Sequence, residues 1–175
     1  VVEMEFNPTA NLVEFLSCPA NVTDQIAQTA TDLAISVITA MDLKGILAVE
    51  MFLDQSGNVL INEVAPRPHN SGHHSIESVV TSQYQQHLRA VLNFPLGSTE
   101  LKIPAIMLNI LGAPGHQGPV CYKGLKECMA VEGLKLHIYG KRETRPFRKM
   151  GHATVIDQSL ESAREKAKFV QRTLR

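Results

Sequence analysis

The residues able to do chemistry fall into two stretches, and the first centres on a pair of glutamates. Glu50 stands in "GILAVEMFL" and Glu63 in "NVLINEVA", two apolar runs separated by the turn-like "DQSG". That pattern predicts a β-hairpin. Ile46, Ala48, Glu50 and Phe52 share one face of the outgoing strand, and Val59, Ile61 and Glu63 share one face of the return. A loop with an even number of residues puts both glutamates on the same face, directly opposed or diagonal, at roughly 5–8 Å. The residues between them are also largely apolar, so both faces are expected to be covered. Two carboxylates in such a place repel each other and lose hydration, and they call for a shared proton or a cation. Paired hard oxygens suit magnesium, which uses one or two carboxylates and fills its shell with phosphate oxygens and water. The plainer alternative is two glutamates on a solvent-facing strand edge.

Directly after Glu63 comes "VAPRPHNSGHHS". Pro66 and Pro68 hold the backbone extended and bias the residue before each away from helix. Arg67 and His69 therefore alternate along a stiff segment, and Asn70, Ser71 and Gly72 lead on to a helix beginning near Ser75. A guanidinium, an imidazole, an amide, a hydroxyl and free backbone N–H groups beside a metal suit a phosphate-like or carboxylate-like anion. A zinc site built from His69, His73 and His74 is a competing idea. Paired zinc histidines usually share a helical face, however, and Pro68 and Gly72 argue against a helix there. A structural loop with incidental polar residues is the third reading.

The second stretch is "GKRETRPFRK", which packs five basic residues into ten positions. A solvated basic turn is the default for such a run. Yet it lies between two expected strands and is restricted by Pro146, so it could clamp a phosphate dianion.

The elements that must position these groups follow from periodicity. Val1 to Phe15 predicts two short strands around the turn signal Asn7-Pro8. Ile26, Ala30, Leu33, Ala34, Val37 and Ile38 have the spacing of an amphipathic helix that ends before Gly45, capped by Asn21 or Thr23. Glu77 to Asn93 carries helical spacing through Val79, Val80, Tyr84, Leu88 and Val91. "NFPLGSTEL" reads as a linker, giving a division into residues 1–95 and 96–175. Beyond it "IPAIMLNILG", "LKLHIYG" and "MGHATVID" predict strands, and Ser159 to Leu174 a closing helix. A short helix around Leu125 is expected within the ambiguous 118–131.

Composition narrows the function classes. With 175 residues, 44% hydrophobic and 19% charged, the chain reads as an ordinary globular protein with a substantial core. Seventeen basic residues balance seventeen acidic ones, so net charge lends no support to a nucleic-acid or membrane partner. No apolar run reaches membrane-spanning length and no signal-peptide pattern opens the sequence. Cys18, Cys121 and Cys128 are odd in number and lack close pair spacing, which suits reduced thiols in the cytoplasm. The opening "VVEMEFN" has no initiator methionine and starts inside a strand-like pattern, so the chain is expected to be cut from a longer protein.

"GILAVEMF" followed by "LINEVAPRPHNSGHHS" resembles the second half of an ATP-grasp domain. Together with "TSQYQQHLRAVLNFPLG", "AIMLNILG" and "YGKRETRPFRKMGHATV", it resembles the N5-carboxyaminoimidazole ribonucleotide synthetase family nearly from end to end. The glutamate pair alone fits many ATP-grasp enzymes, whereas "APRPHNSGH" with "RPFRKMGH" is far more selective. The resemblance implies an α/β (α+β) fold: the second half of an ATP-grasp domain, then a small β-rich C-terminal domain with a closing helix. It implies an ATP-dependent carboxylation of aminoimidazole ribonucleotide by bicarbonate, by way of carboxyphosphate, in purine biosynthesis. ATP and Mg2+ would be the cofactors, with a cytoplasmic homodimer as the assembly.

Residue by residue, the resemblance suggests Glu50 and Glu63 as magnesium ligands, Asn62 nearby, and Phe52 beside the adenine of ATP. Arg67, His69 and Asn70 match the segment that holds bicarbonate and its phosphorylated form. Lys141 and Arg148 match basic residues that grip the 5′-phosphate of the ribonucleotide. Family members begin with a nucleotide-fold domain and the first half of the ATP-grasp domain, neither of which this sequence contains. It is therefore expected to be inactive alone. His74 stands where several members carry an aromatic, and Phe147 where many carry glycine. Two rivals remain: a formate-dependent glycinamide ribonucleotide transformylase, which shares "PRPH" but departs from "NSGH", and a non-catalytic nucleotide-binding module.

Overall fold

A computed structural model describes residues 1–7 and 12–175. In chain order its elements are β1 (Glu3–Asn7), β2 (Leu12–Cys18), α1 (Asp24–Ala40), β3 (Ala48–Leu53), β4 (Val59–Ala65), α2 (Ser75–Ser78), α3 (Gln83–Val91), β5 (Ala105–Leu111), β6 (Gly118–Pro119), α4 (Leu125–Met129), β7 (Leu134–Ile138), β8 (Glu143–Thr144), β9 (Lys149–Ile156) and α5 (Leu160–Thr173). The expected turn at Asn7-Pro8 runs into residues 8–11, outside the described residues. The chain forms two compact units: Val1–Val2 with Pro19–Lys102, and Glu3–Cys18 with Ile103–Arg175.

The second unit is built on a five-stranded sheet in the order β1-β2-β5-β9-β7, with every neighbouring pair antiparallel. Its central strand β5 is apolar on both faces, with Ala105, Ile106, Met107 and Leu108 all buried. Helix α5 lies on this sheet. Ala163, Ala167 and Val170 recur at helical spacing, are fully buried, and pack among Ile106, Leu108 and Val155. Two alanines in the row let the helix backbone come close to the strands, and burying Val170 contributes about 1.5–3 kcal/mol. Ser159 caps α5 by accepting the Ser162 N–H. Just before it, Asp157 pairs with Lys166 at 2.7 Å and accepts from Ser159 and Ser162. The Lys166 ammonium, followed by those hydrogen bonds, holds the Asp157 carboxyl well below the usual range. Arg164 of α5 reaches back to Ser17 and Glu5, tying the helix to β1 and β2.

The first unit holds α1, the β3–β4 hairpin, and the α2 and α3 turns. Thr23 caps α1, its hydroxyl accepting the Ile26 N–H. The single helix expected over residues 77–93 is broken into α2 and α3. Val79 is extended and forms an isolated antiparallel bridge with Leu101. Ser82 then starts α3 with a reciprocal capping box to Gln85. A box at Ser82 and backbone partners at 78 and 80 outweigh the apolar spacing that suggested one continuous helix.

The same bonds move the expected division. "NFPLGSTEL" does not hang free: Gln86 holds both the N–H and the carbonyl of Gly97, and Arg89 donates to the Pro95 carbonyl. Val80 N–H bonds Glu100 and Lys102 N–H bonds Ser78. Residues 96–102 therefore stay with the first unit, and β1 and β2 join the sheet of the second, which differs from a simple cut after residue 95.

His74 gives the first unit a pH dependence. It is buried, and with the Ser78 hydroxyl donating to the His74 carbonyl, its Nδ1 donates to that hydroxyl at 2.7 Å. Burial pushes the imidazole down from 6.5 to about 4. The unfolded chain thus takes up the proton first as pH falls, so the stabilisation is complete above about 6.5 and drains away towards 4. The full gap is worth about 3 kcal/mol. Denaturant unfolding of the parent and of His74→Phe at pH 7 and 4.5 should show the parent losing most of that amount relative to the variant. Parallel losses in the two would refute the assignment.

Candidate functional site

The β3–β4 hairpin places Glu50 and Glu63 by an unexpected route. Its turn is closed by Asp54 N–H to the Asn58 carbonyl at 3.0 Å, leaving Gln55, Ser56 and Gly57 as the loop. Gly57 takes the left-handed conformation (φ 84°) that such three-residue loops need. Asp54 accepts from the backbone N–H groups of Ser56 and Asn58 and from the Asn58 side chain. Those bonds, with Asn58 foremost, hold its carboxyl below the usual range.

This loop is odd, not even, and by itself it would set Glu50 opposite Asn62 and turn Glu63 to the other face. A β-bulge corrects the register. Met51 pairs with Ile61 but Glu50 pairs with Glu63, leaving Asn62 as the extra residue. The two carboxylates share a face because of that insertion.

The proline-stiffened segment then brings His69 to the pair. Its Nε2 lies 3.5 Å from Glu50 Oε1, and one ligand atom each from Glu50, Glu63 and His69 lie within 4.8 Å of one another. Glu50 and His69 are partly buried, while Glu63 is open to solvent. His69 also caps the single 3-10 turn Asn70–Gly72, its Nδ1 accepting the Ser71 N–H and lying 2.9 Å from the Ser71 hydroxyl. The ring is thus held at one nitrogen and presented to the carboxylates at the other.

The three histidines do not form a zinc site. His73 lies against Gln83 and the Tyr84 hydroxyl and stacks on the Tyr84 ring, with centroids 6.0 Å apart. His74 is turned into the protein on Ser78. Among the described residues, the group of acidic, histidine and cysteine side chains able to hold a metal is Glu50, Glu63 and His69.

The other expected residues of this stretch are more open. Arg67 donates to the Pro68 carbonyl at 3.2 Å and is otherwise exposed. Asn70 is partly buried at the start of the 3-10 turn, and Asn62 is exposed in the bulge. Phe52 is 57% exposed, and Leu53, Leu60 and Ile61 beside it are exposed too. The expectation that both hairpin faces are covered is therefore corrected. Two strands alone satisfy each other's edges but not each other's faces. Sequence reasoning missed Gln83, which is buried behind this loop and bonded to the His69 backbone. The "TSQ" that contains it carries only a capping signal for a helix.

The basic cluster belongs to the second unit. Lys141 donates to the Lys149 carbonyl and sits 5.8 Å from the centroid of the Tyr139 ring. Tyr139 is in turn 3.0 Å from His152 Nδ1, and His152 stacks on His137 with centroids 4.4 Å apart. Arg148 donates to the Glu143 carbonyl across the turn. The turn is fastened to the end of β5: Phe147 N–H bonds the Gly112 carbonyl, and Gly112 N–H bonds that of Arg148. A Cβ on Gly112 would lie 2.2 Å from the Arg145 carbonyl oxygen, so only glycine admits this approach. Phe147 adopts φ 61°, a left-handed conformation costly for an aromatic residue. A glycine would adopt that conformation freely.

Comparison with known proteins covers both units. The ATP-grasp domain family matches residues 6–84, and the phosphoribosylaminoimidazole carboxylase C-terminal domain matches residues 105–166. The N5-carboxyaminoimidazole ribonucleotide synthase of Bacillus subtilis is 47% identical over 140 residues, covering 80% of this chain and 35% of that protein. The chloroplastic phosphoribosylaminoimidazole carboxylase of Vigna aconitifolia is 44% identical over 157 residues, covering 88% and 28%. Among solved structures, N5-carboxyaminoimidazole ribonucleotide synthetase from Thermotoga maritima superposes with a TM-score of 0.90 at 52% identity, over 92% of this chain and 45% of that one. The Aspergillus clavatus N5-carboxyaminoimidazole synthase, solved with ADP and 5-aminoimidazole ribonucleotide, gives 0.87 at 34%, over 98% and 46%. The chain thus spans about a third of the curated relatives' length and under half of the solved chains. Both units are similar, in sequence and in fold, to N5-carboxyaminoimidazole ribonucleotide synthetases, the first through an ATP-grasp domain match and the second through the C-terminal domain match.

Proposed function

We propose that the protein carrying this chain uses ATP and bicarbonate to carboxylate the exocyclic amine of 5-aminoimidazole ribonucleotide, a step of purine biosynthesis. The observation that carries this reading is the register-shifted pair Glu50 and Glu63 with His69 beside it, in a chain similar to these synthetases. The Aspergillus clavatus relative, solved with ADP and the ribonucleotide, supports both substrates.

Two carboxylates on one face, one of them open to solvent, fit a divalent magnesium ion that keeps part of its shell for phosphate and water. When bound, the ion neutralises phosphate charge during transfer. Arg67 follows the metal-bearing strand and offers an exposed guanidinium to the transferring phosphoryl group. His69 and Asn70 hold bicarbonate and its phosphorylated form. The exposed ring of Phe52 and the amide of Asn62 contact ATP. Lys141 and Arg148, whose turn is fastened to β5, hold the 5′-phosphate of the ribonucleotide. A homodimer in the cytoplasm completes the proposal, and three free cysteines suit that reducing compartment. Among the described residues no helix is long and apolar enough to cross a membrane. Mass spectrometry of the product made by the full-length protein tests the reading as a whole. A formylated glycinamide ribonucleotide, or no product, would overturn it.

Two substitutions in the full-length protein test the roles. Glu63→Gln keeps shape but removes charge from the cation site. Even outer partners of metal ligands are worth about 10–100-fold, so carboxylation should fall by about 100-fold or more with the fold intact. Activity within a few-fold of the parent at ordinary magnesium would rule out the metal role.

The basic residues should separate. Lys141→Ala should mainly raise the KM for the ribonucleotide, by roughly 10–100-fold, as expected for one charged hydrogen-bonding partner. Bicarbonate-dependent ATP hydrolysis without the ribonucleotide should survive Lys141→Ala and fail in Arg67→Ala. The reverse pattern in steady-state assays of both variants would show the two roles to be exchanged.

A further inference from the structure

Gln83 is the first residue of α3 and is 8% exposed. Its Oε1 accepts the His69 N–H at 2.9 Å, and its Nε2 donates to the His69 carbonyl at 2.9 Å. One side chain thus serves both backbone groups of one residue, as a neighbouring strand would. The orientation of the amide is dictated by these partners. Turned over, it would set N–H against N–H and oxygen against oxygen. The same Nε2 lies 3.0 Å from His73 Nδ1, and the Gln83 N–H donates to the Ser75 hydroxyl at 2.9 Å. The Ser75 hydroxyl donates onward to the Gly72 carbonyl.

Gly72 shows how closely this carboxamide is fitted. A Cβ there would lie 2.4 Å from Gln83 Oε1. Gly72 is not at positive φ, so space rather than conformation demands glycine. The clamped His69 backbone is extended (φ −123°, ψ 155°), and from that conformation its ring reaches to 3.5 Å from Glu50. None of the hydrogen bonds described for Gln83 goes to Glu50 or Glu63. Its link to the site runs through the main chain of His69.

We infer that Gln83 is a positioning residue for the carboxylation: it fixes the His69 backbone so that the imidazole stays against the Glu50–Glu63 pair. This rests on the function proposed above, and it adds a residue that carries no charge and hydrogen-bonds neither carboxylate. Gln83→Leu keeps the bulk and removes both bonds. A misplacement of about 1 Å at a reacting group can cost about 100-fold. In the full-length protein, kcat for carboxylation should fall about 10–100-fold while the KM for the ribonucleotide stays within about two-fold. Hydrogen–deuterium exchange at the His69 amide should quicken by about ten-fold or more as its acceptor is lost.

Two further variants separate positioning from general support. Ser82→Ala breaks the capping box of the same helix without touching His69. It should lower Tm yet leave kcat and His69 exchange near the parent's. Gly72→Ala, which drives a Cβ into the carboxamide, should reproduce the Gln83→Leu losses and add little to them in the double variant. Parental kcat in Gln83→Leu, or equal losses in Ser82→Ala at matched Tm, would overturn the inference. If the parent itself fails to carboxylate the ribonucleotide, the functional reading falls, and the positioning inference falls with it. Exchange at His69 then still decides the clamp alone: unchanged protection in Gln83→Leu would refute that too.

Discussion

Two carboxylates held face to face across a β-hairpin set the terms for the first unit. Like charges directly opposed in a sheet are destabilising by themselves. Here the local structure is arranged around keeping them opposed. The Asp54–Asn58 turn fixes an odd loop, and the extra residue at Asn62 converts that odd register into one that brings Glu63 back to Glu50. Past Glu63, two prolines carry the chain in an extended path to His69, whose ring approaches Glu50. Behind it, Gln83 at the start of α3 binds the His69 backbone. Remove the requirement that the carboxylates meet, and the bulge, the proline pair and the glycine at 72 lose their common purpose.

The sequence carried the type of most elements because their patterns were local. Thr23 and the 3.6 spacing behind it announce α1, and the short apolar run "AIMLNIL" announces β5. Glu50 and Glu63 were legible as a same-face pair, but the argument for it was wrong in its route. Counting loop residues presumes an uninterrupted ladder, and a bulge leaves no mark in composition. The helix over 77–93 failed for a related reason. Its apolar spacing is real, yet Val79 and Val80 are claimed by backbone partners at 100 and 101 that no periodicity displays. Gln83 escaped notice because a buried amide that serves a backbone looks, in one dimension, like any polar residue near a helix start.

The basic turn of the second unit shows the complementary case. "GKRETRPFRK" is conspicuous, and its charge was readable at once. What makes it rigid is its attachment to Gly112, many residues upstream, whose lack of a side chain admits the Arg145 carbonyl. Phe147 sits in that turn at a backbone angle it adopts at some expense. The anion clamp proposed for this turn needs donors that stay put without the anion, since ordering them on binding would weaken it. The bonds from 112 to 147 and 148 supply that stiffness from a neutral strand end.

The sheet of the second unit draws on both ends of the chain, with β2 paired to β5 across the entire first unit. During synthesis, β1 and β2 emerge before β5 and β9, and the edge of β2 that pairs with β5 stays open until they follow. Such waiting strands are exposed to mispairing. The intervening unit shortens that hazard if it folds first, because a compact insert brings its own two ends closer than a loose chain of the same length would. The same topology changes what a protease can accomplish. A nick between Lys102 and Ile103 breaks one of the three points at which the chain passes between the units, and the amino-terminal piece remains held through the β2–β5 ladder. Cleavage there would pass unnoticed on a sizing column and appear only after denaturation.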